Sequence, residues 1–381
     1  MKSVQPSSQT WKVMVIAGYA PSLINFRGPL LKAMREKGYQ VVCAAPENDA
    51  EVKHKLEEMG ISYFPVPLER TGLNPLADLR GALALLRLIR LERPDVVLSY
   101  TIKPVVFGSL MAKWGGVKNI FSLVTGLGYA FTAQGFKARV VQLVVRALYR
   151  MALRTNKATF FQNPDDLELF VSGGLVSRSQ TRLVSGSGVD LEHYARAALP
   201  IGEITFLLIA RLLKEKGIFE YVEAARALKV KYPKLRFVLV GPLDSNPSGL
   251  SAATLEQWQK EGVIEYRGTQ TDVRPELARC HVYVLPSYRE GTPRTVLEAM
   301  AVGRAIVTTD APGCRETVVH GLNGFLVPVA NSGALANAME RFVLSPELIG
   351  QMGEVSVQMV RDRYDVHKVN VQMLEAMGLM E

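Results

Sequence analysis

The strongest constraint on what this chain can become is a pattern that runs twice: short β-branched stretches separated by longer amphipathic ones. In the first half the strand candidates are 12–17, 40–44, 62–66, 95–99, 119–124 and 158–161, with helical patterns at 23–37, 75–91 and 105–114. Such alternation is the mark of βαβ units and a parallel sheet. The pattern restarts after 199–202, where a Pro/Gly pair reads as a linker, with strands expected at 204–210, 236–240, 263–266, 281–285 and 305–308. Helical patterns at 219–231 and 293–301 separate them, and 346–380 reads as two helices with no following strand. A chain of 381 residues is too long for one ordinary core. We therefore expect two doubly wound α/β domains, 1–195 and 203–360, and a C-terminal helix at 361–381 able to pack back on the first. Ligands of such sheets bind beyond the carboxyl ends of the strands, here in a cleft that the two domains face.

Composition removes several alternatives. No apolar run approaches the roughly 18 residues of a membrane span, and the stretch 13–17 is too short for a signal peptide. Cys43, Cys280 and Cys314 are odd in number and far apart, fitting neither a disulfide framework nor a metal cluster, so a cytosolic protein is expected. The net charge of +9 is localised: Met1 to Ala195 holds 24 Lys and Arg against 15 Asp and Glu, whereas the remainder holds 21 of each. The first half should therefore face something anionic. Nucleic acid is disfavoured, because neither zinc-ligand spacing nor an RNP-type aromatic motif is present.

The densest chemistry lies between Pro286 and Ala301. A strand ends in a polar loop carrying Ser287 and Glu290, and Thr292-Pro293 reads as N-cap and first helical residue, with Arg294 following. A helix start after a strand offers unpaired amides to a phosphate. Glu298, a turn and a half into that helix, can accept two hydrogen bonds from a vicinal diol such as a ribose. Glu290, before the helix, can reach a sugar beyond the phosphates. An arbitrary Glu pair would be surface charge, but Leu297 and Ala299-Met300-Ala301 give Glu298 core-like neighbours.

Glu290 and Glu298, followed by Ala-Met-Ala-x-Gly-x-x-Ile-Val-Thr-Thr, resemble the E-x7-E signature of retaining glycosyltransferases of family 4, which have the GT-B fold of two Rossmann-like domains. Ala210-Arg211-Leu212-Leu213-Lys214-Glu215-Lys216-Gly217 is similar to the family's diphosphate-holding segment. Gly186-Ser187-Gly188-Val189-Asp190, Arg267-Gly268, the strand 280–287, Gly313 to Glu316 and Gly321 to Gly324 match further family turns and strands. The resemblance implies a UDP-sugar donor and metal-independent chemistry without a cofactor. Glu290, Arg211 and Lys216 would be the catalytic residues. The donor would be held by these three with Gly18, Arg267, Gly268, Ser287, Thr292, Pro293, Arg294 and Glu298. In physical terms, Arg211, Lys216 and the amides near Thr292 can stabilise the charge that develops on a departing diphosphate.

The first half should take the acceptor. Gly18 lets backbone approach a ligand closely, and Asn25 and Arg27 add polar groups. Tyr100-Thr101-Ile102-Lys103-Pro104 and Thr125-Gly126-Leu127-Gly128-Tyr129-Ala130-Phe131 resemble segments of a subgroup that glycosylates polyprenyl-diphosphate-linked sugars, the N-acetylgalactosaminyltransferases acting on undecaprenyl-diphospho-diacetylbacillosamine. That resemblance implies acceptor contacts from Tyr19, Asn25, Arg27, Lys103, Thr125 and Gly126. Many family members carry a His near the donor sugar, but His54, His193, His281, His320 and His367 do not end a first-half strand. The expected reaction is same-face attack, with the leaving phosphate oxygen taking the acceptor proton. Between Gly135 and Asn163 no residue is acidic, while Lys137, Arg139, Arg146, Arg150, Arg154 and Lys157 alternate with apolar residues at helical spacing. This reads as a basic amphipathic helix on an anionic membrane, and the enzyme as a peripheral protein of the inner face. A UDP-sugar epimerase or an inactive nucleotide-sugar-binding module are the competing readings. A Rossmann oxidoreductase is disfavoured, since neither Gly126-x-Gly128 nor Gly186-x-Gly188 continues as G-x-G-x-x-G.

Overall fold

The computed structural model describes residues 10–68, 74–126, 136–244, 246 and 248–380. The chain divides into two compact units, Met1–Val184 with Asn370–Glu381, and Ser185–Val369.

The first unit is built on a seven-stranded sheet: β1 (Lys12–Ile16), β2 (Gln40–Ala45), β3 (Ser62–Pro65), β4 (Val96–Tyr100), β5 (Asn119–Val124), β6 (Ala158–Phe161) and β7 (Thr181–Leu183). Its spatial order is β3-β2-β1-β4-β5-β6-β7 and every pairing is parallel. Both faces are covered, so the central strands are apolar throughout rather than alternating. On one face Val13, Val15 and Ala17 pack with α1 (Pro21–Asn25), α2 (Gly28–Glu36) and α3 (Ala50–Glu58) through Leu23, Leu30, Leu31, Met34, Val52 and Leu56. On the other face Met14 and Ile16 pack with α4 (Pro75–Glu92) and α5 (Ser109–Trp114) through Leu85, Ile89, Met111 and Ala112. A π-helical turn, Pro104–Gly108, leads into α5, and α6 (Phe136–Leu153) and α7 (Pro164–Ser172) follow. The expected helix at 23–37 is two helices, because Pro29 has no N–H for the Asn25 carbonyl and the chain restarts with Arg27 outside the helical region at φ −120°.

The second unit holds β8 (Thr205–Ile209), β9 (Arg236–Val240), β10 (Glu265–Tyr266), β11 (Val282–Leu285), β12 (Ala305–Thr309) and β13 (Gly324–Val327), in the order β10-β9-β8-β11-β12-β13, again all parallel. One face packs Phe206 and Leu208 against α8 (Ile218–Lys231), α9 (Ala252–Lys260) and α12 (Ser332–Leu344). The other packs Leu207 and Ile209 against α10 (Arg274–Arg279) and α11 (Arg294–Val302), with α13 (Glu347–Arg363) beside α11.

The division falls at Val184/Ser185, not at the linker expected at 199–202. Residues 185–198 are part of the second unit: Val189 and Tyr194 lie in its core, and Val189 N–H donates to the Tyr364 carbonyl at 2.8 Å. Arg304, fully buried, donates to the carbonyls of Leu277, Ala198 and Ala278 at 2.9, 3.0 and 3.1 Å, which staples the end of that segment down. α14 (Val366–Met377) begins in the second unit and ends in the first, where Met373, Leu374, Met377 and Leu379 join the core beside α2 and α3. Arg304→Ala would remove the guanidinium donor from three carbonyls and leave a cavity where the side chain lay. It should cost about 3 kcal/mol, read as a lower urea midpoint at unchanged slope; an unchanged midpoint would mean that the staple contributes nothing.

Candidate active site

In each sheet the strand order reverses once, between β1 and β4 in the first unit and between β8 and β11 in the second. These reversals open a crevice at the carboxyl ends of the two strands, and most of the expected site residues lie at one or the other.

In the second unit the loop after β8 carries Arg211 and Lys216, and the loop after β11 carries Ser287, Glu290 and Thr292 before α11 begins. Gly217 sits at φ +72°, and any side chain there would overlap the Pro286 carbonyl, so the two loops touch backbone to backbone. Tyr288 N–H donates to the Glu215 carbonyl at 2.9 Å and Lys216 Nζ to Glu290 Oε1 at 2.5 Å. Gly313, at φ +80°, lies under the Glu290 carbonyl with equally little room, and Glu290 N–H donates to Pro312 at 2.9 Å. The Glu290 side chain is mostly buried, 14% exposed, so this pair is a shielded one. Arg211 is half exposed and bonded to Asp244 Oδ2 at 2.9 Å, a partner 33 residues away that sequence spacing does not reveal.

The start of α11 differs from expectation in one detail. Pro293, not Thr292, is the N-cap, at φ −71° and ψ 105°, and its own side chain makes no capping hydrogen bond. Val296 and Leu297 N–H both turn back to the Pro293 carbonyl, which closes the first turn of the helix. Thr292 packs against Gly186, where a Cβ would come within 2.8 Å of the Thr292 Cβ. Glu298 is 5% exposed. Arg294 Nε donates to its Oε1 at 2.8 Å, and the Tyr194 hydroxyl hydrogen-bonds the same carboxylate. Burial raises the Glu298 pKa above the ordinary carboxylate value, and Arg294 and Tyr194 offset only part of that rise. Tyr194 was missed at the sequence level because it stands in the stretch assigned to the first domain, 1–195, whereas it belongs to the second unit. Ser287 is fully buried, and its Oγ has no hydrogen-bond partner among the described residues.

Two of the expected donor residues separate. Gly268 continues the carboxyl edge and its carbonyl accepts from Gly241 N–H at 2.9 Å. The Arg267 side chain instead pairs with Glu265 at 2.8 Å and lines a cavity of about 30 Å³ with Thr205 and Arg236, which start β8 and β9. It therefore points to the amino end of the sheet, away from Glu290, because it shares the Glu265 carboxylate with Arg236.

In the first unit Gly18 follows β1 and Thr101 follows β4, and a side chain at Gly18 would overlap the Thr101 hydroxyl. Thr101 takes φ +69°, a rare and strained value for a β-branched residue, at the point where the crevice opens. Lys103 is not a solvated cation: its Nζ bonds Asp78 Oδ1 at 2.6 Å, and both side chains are largely covered. Arg27 is 3% exposed, with its guanidinium 5.4 Å from the centre of the Tyr100 ring, whose hydroxyl shares a 2.8 Å bond with Ser22. Tyr19 and Asn25 are exposed, and Thr125 and Gly126 half-buried. Residues 127–131 of the T-G-L-G-Y-x-F segment lie outside the described residues.

Residues 192–358 match the family model "Glycosyl transferases group 1" and residues 27–185 match "Glycosyl transferase 4-like domain". A Campylobacter jejuni subsp. jejuni protein, N,N'-diacetylbacillosaminyl-diphospho-undecaprenol alpha-1,3-N-acetylgalactosaminyltransferase, is 32% identical over 83% of this chain and 85% of its own. An Escherichia coli UDP-Gal:alpha-D-GlcNAc-diphosphoundecaprenol alpha-1,3-galactosyltransferase is 24% identical over 82% and 85%. Among solved structures, Thermosynechococcus elongatus sucrose-phosphate synthase has a TM-score of 0.80 at 18% identity, covering 96% of this chain and 98% of its own. Anabaena HepE in complex with UDP and glucose has a TM-score of 0.77 at 18% identity, covering 97% and 99%. The fold is thus that of the GT-B glycosyltransferases. The chain belongs to glycosyltransferase family 4.

The raised Glu298 pKa has a signed consequence. The folded state holds that proton more tightly than the unfolded chain, so the group's stabilisation is complete below the ordinary carboxylate pKa and is lost as pH rises through the folded value. Glu298→Gln removes this dependence. Urea midpoints taken across a pH series should show the Gln variant gaining on the parent as pH rises from about 4 towards neutrality. A difference constant with pH would show that Arg294 and Tyr194 offset the burial completely.

Proposed function

We propose that this protein is a retaining, metal-independent glycosyltransferase that moves a sugar, in the first place a hexosamine, from a UDP donor to a sugar carried on a polyprenyl diphosphate. N-acetylgalactosamine is the first choice of sugar, with N-acetylglucosamine and galactose next. The reaction would take place at the cytoplasmic face of the cell membrane, with the protein bound peripherally. The observation that carries the reading is the Lys216–Glu290 contact at the second switch point, one helix start away from the buried Glu298. The Campylobacter and Escherichia coli relatives, both named for diphosphoundecaprenol-linked acceptors, support the choice of acceptor class.

In this reading each side chain has a separate task. Glu298 accepts hydrogen bonds from the ribose diol, and its carboxylate is held in place by Arg294 and Tyr194. The amino end of α11 faces the diphosphate. Arg211 and Lys216 take up the negative charge as the bond from the sugar C1 to the phosphate oxygen breaks, and each exchanges a carboxylate partner for phosphate. Glu290, released from Lys216, acts at the reacting sugar. The acceptor hydroxyl forms the new bond to C1 on the same face, and its proton passes to the departing phosphate oxygen. Tyr19, Asn25, Arg27, Thr125 and Gly126 are the acceptor contacts. Lys103 joins them by leaving Asp78 or positions α4 while paired with it.

Two measurements test this. UDP should be released only when donor and a polyprenyl-diphosphate sugar are both present; release without acceptor would favour an epimerase or hydrolase, and no release a binding module. Glu298→Ala should raise the donor KM by about tenfold or more with a smaller fall in kcat, whereas Glu290→Ala should lower kcat by about a hundredfold or more with little change in KM. Matching kinetics in the two variants would rule out this division of labour.

A further inference from the structure

The two faces of the first sheet carry opposite kinds of outer surface. On α2 and α3, lysines are answered by glutamates one turn away, Lys32–Glu36 and Lys53–Glu57 at 3.8 Å and Lys55–Glu51 at 2.6 Å. Pairs of this kind make a solvated face. α4, on the other side, is built differently. Its outward residues are Leu76, Leu79, Leu83 and Leu91, 71%, 55%, 44% and 74% exposed, interleaved with exposed Arg80, Arg87 and Arg90. At 3.6 residues per turn these seven fall within an arc of about 120°. None of the three arginines makes an ion pair among the described residues. Both acids of the helix are engaged elsewhere, Asp78 with Lys103 and Glu92 with Lys12.

α5 packs against α4, and α6 against α5, so the three helices lie side by side. α5 adds exposed Lys113 and Trp114, the latter 64% exposed. α6 adds exposed Val140, Leu143, Val144 and Met151 with Arg139. Arg146 and Arg150 reach over Gly173 and Gly174 at the end of α7 and are partly committed there. The sequence has no Asp or Glu between Asp95 and Asp165, against nine Lys and Arg.

A helix covering a core and facing water has no use for four exposed leucines in one arc. Along α4 the cations Arg80, Arg87 and Arg90 share one arc with the four leucines, so guanidinium and apolar side chains are presented together. Leucines that enter the acyl boundary while guanidinium groups meet lipid phosphates satisfy both halves of the pattern. We infer that α4, α5 and α6 form one docking face for an anionic phospholipid bilayer, with α4 as its principal element. α4 starts at the carboxyl edge of the sheet, and Asp78 in its first turn pairs with Lys103 just beyond β4. Docking through α4 therefore sets the crevice between β1 and β4 beside the headgroup layer, where a lipid-linked diphosphate lies. This last step rests on the proposed acceptor; the docking face itself does not.

The test is partition of the full chain onto phosphatidylcholine vesicles with and without phosphatidylglycerol. Joint Arg80→Glu and Arg87→Glu, and separately joint Leu79→Ser and Leu83→Ser, should each lower partition onto the anionic vesicles by about tenfold or more. Joint Lys53→Glu and Lys55→Glu on α3, an equal change in net charge, should lower it by less than about twofold. Equal losses from α3 and α4, or none from α4, would overturn the inference. So would binding to native membranes but not to protein-free vesicles, which would indicate a protein partner. Brominated lipid should quench Trp114 fluorescence, a signal that Trp114→Phe removes; unquenched Trp114 in bound protein would also overturn it. On a short water-soluble acceptor the α4 variants should turn over as the parent does, and on a full-length acceptor in vesicles they should be slower. Docking through α4 by a chain that uses no polyprenyl-diphosphate acceptor would uphold the face and reject the functional reading.

Discussion

The loop that carries Glu290 is gripped between two glycines. Gly217 presses the loop after β8 onto the Pro286 carbonyl, and Gly313 presses the following turn onto the carbonyl of Glu290 itself. Neither contact leaves room for a Cβ, so the position of Glu290 is set by backbone against backbone rather than by a flexible side chain. The Lys216–Glu290 pair, the start of α11 and the location of Glu298 follow from that packing. Catalytic groups that must be placed to a fraction of an ångström are best mounted this way.

Charge is managed differently in the two units. In the second, exposed arginines are answered nearby: Arg226 by Glu223 and Glu261, Arg236 by Glu265, Arg274 by Asp272 and Arg315 by Asp310. In the first, the cations of α4 stand without carboxylate partners among the described residues. The overall +9 is therefore not spread as a general solubilising charge but concentrated on one side of one sheet.

Much of the architecture was legible because parallel strands buried on both faces are short, apolar and β-branched, as 13–16, 41–44 and 305–308 are. The strands that escaped are those without this signal. β7 is three residues, Thr-Arg-Leu, and β13 opens on Gly324, which is glycine because a side chain would strike the Ile306 carbonyl. The site was legible to the extent that its residues are adjacent in sequence, as in 286–298. What was hidden is what long-range contact decides: Asp244 on Arg211, Asp78 on Lys103, Tyr194 on Glu298, and the turning of Arg267 towards Glu265. The helix break at Phe26–Arg27 could have been read from Gly28-Pro29, and the α4 face from its Leu and Arg spacing.

The course of the chain end bears on how such enzymes recombine. Because 185–198 is stapled into the second unit by Arg304 while Met373, Leu374, Met377 and Leu379 complete the core of the first, the first unit is two separate stretches of gene and the second is one stretch that begins at Ser185. A chimera that exchanges first units between relatives by a single crossover near residue 200 would split one core and strand the tail of the other. A viable exchange needs two crossovers, one near Val184 and one near Asn370, and the first unit is inherited as a pair of segments.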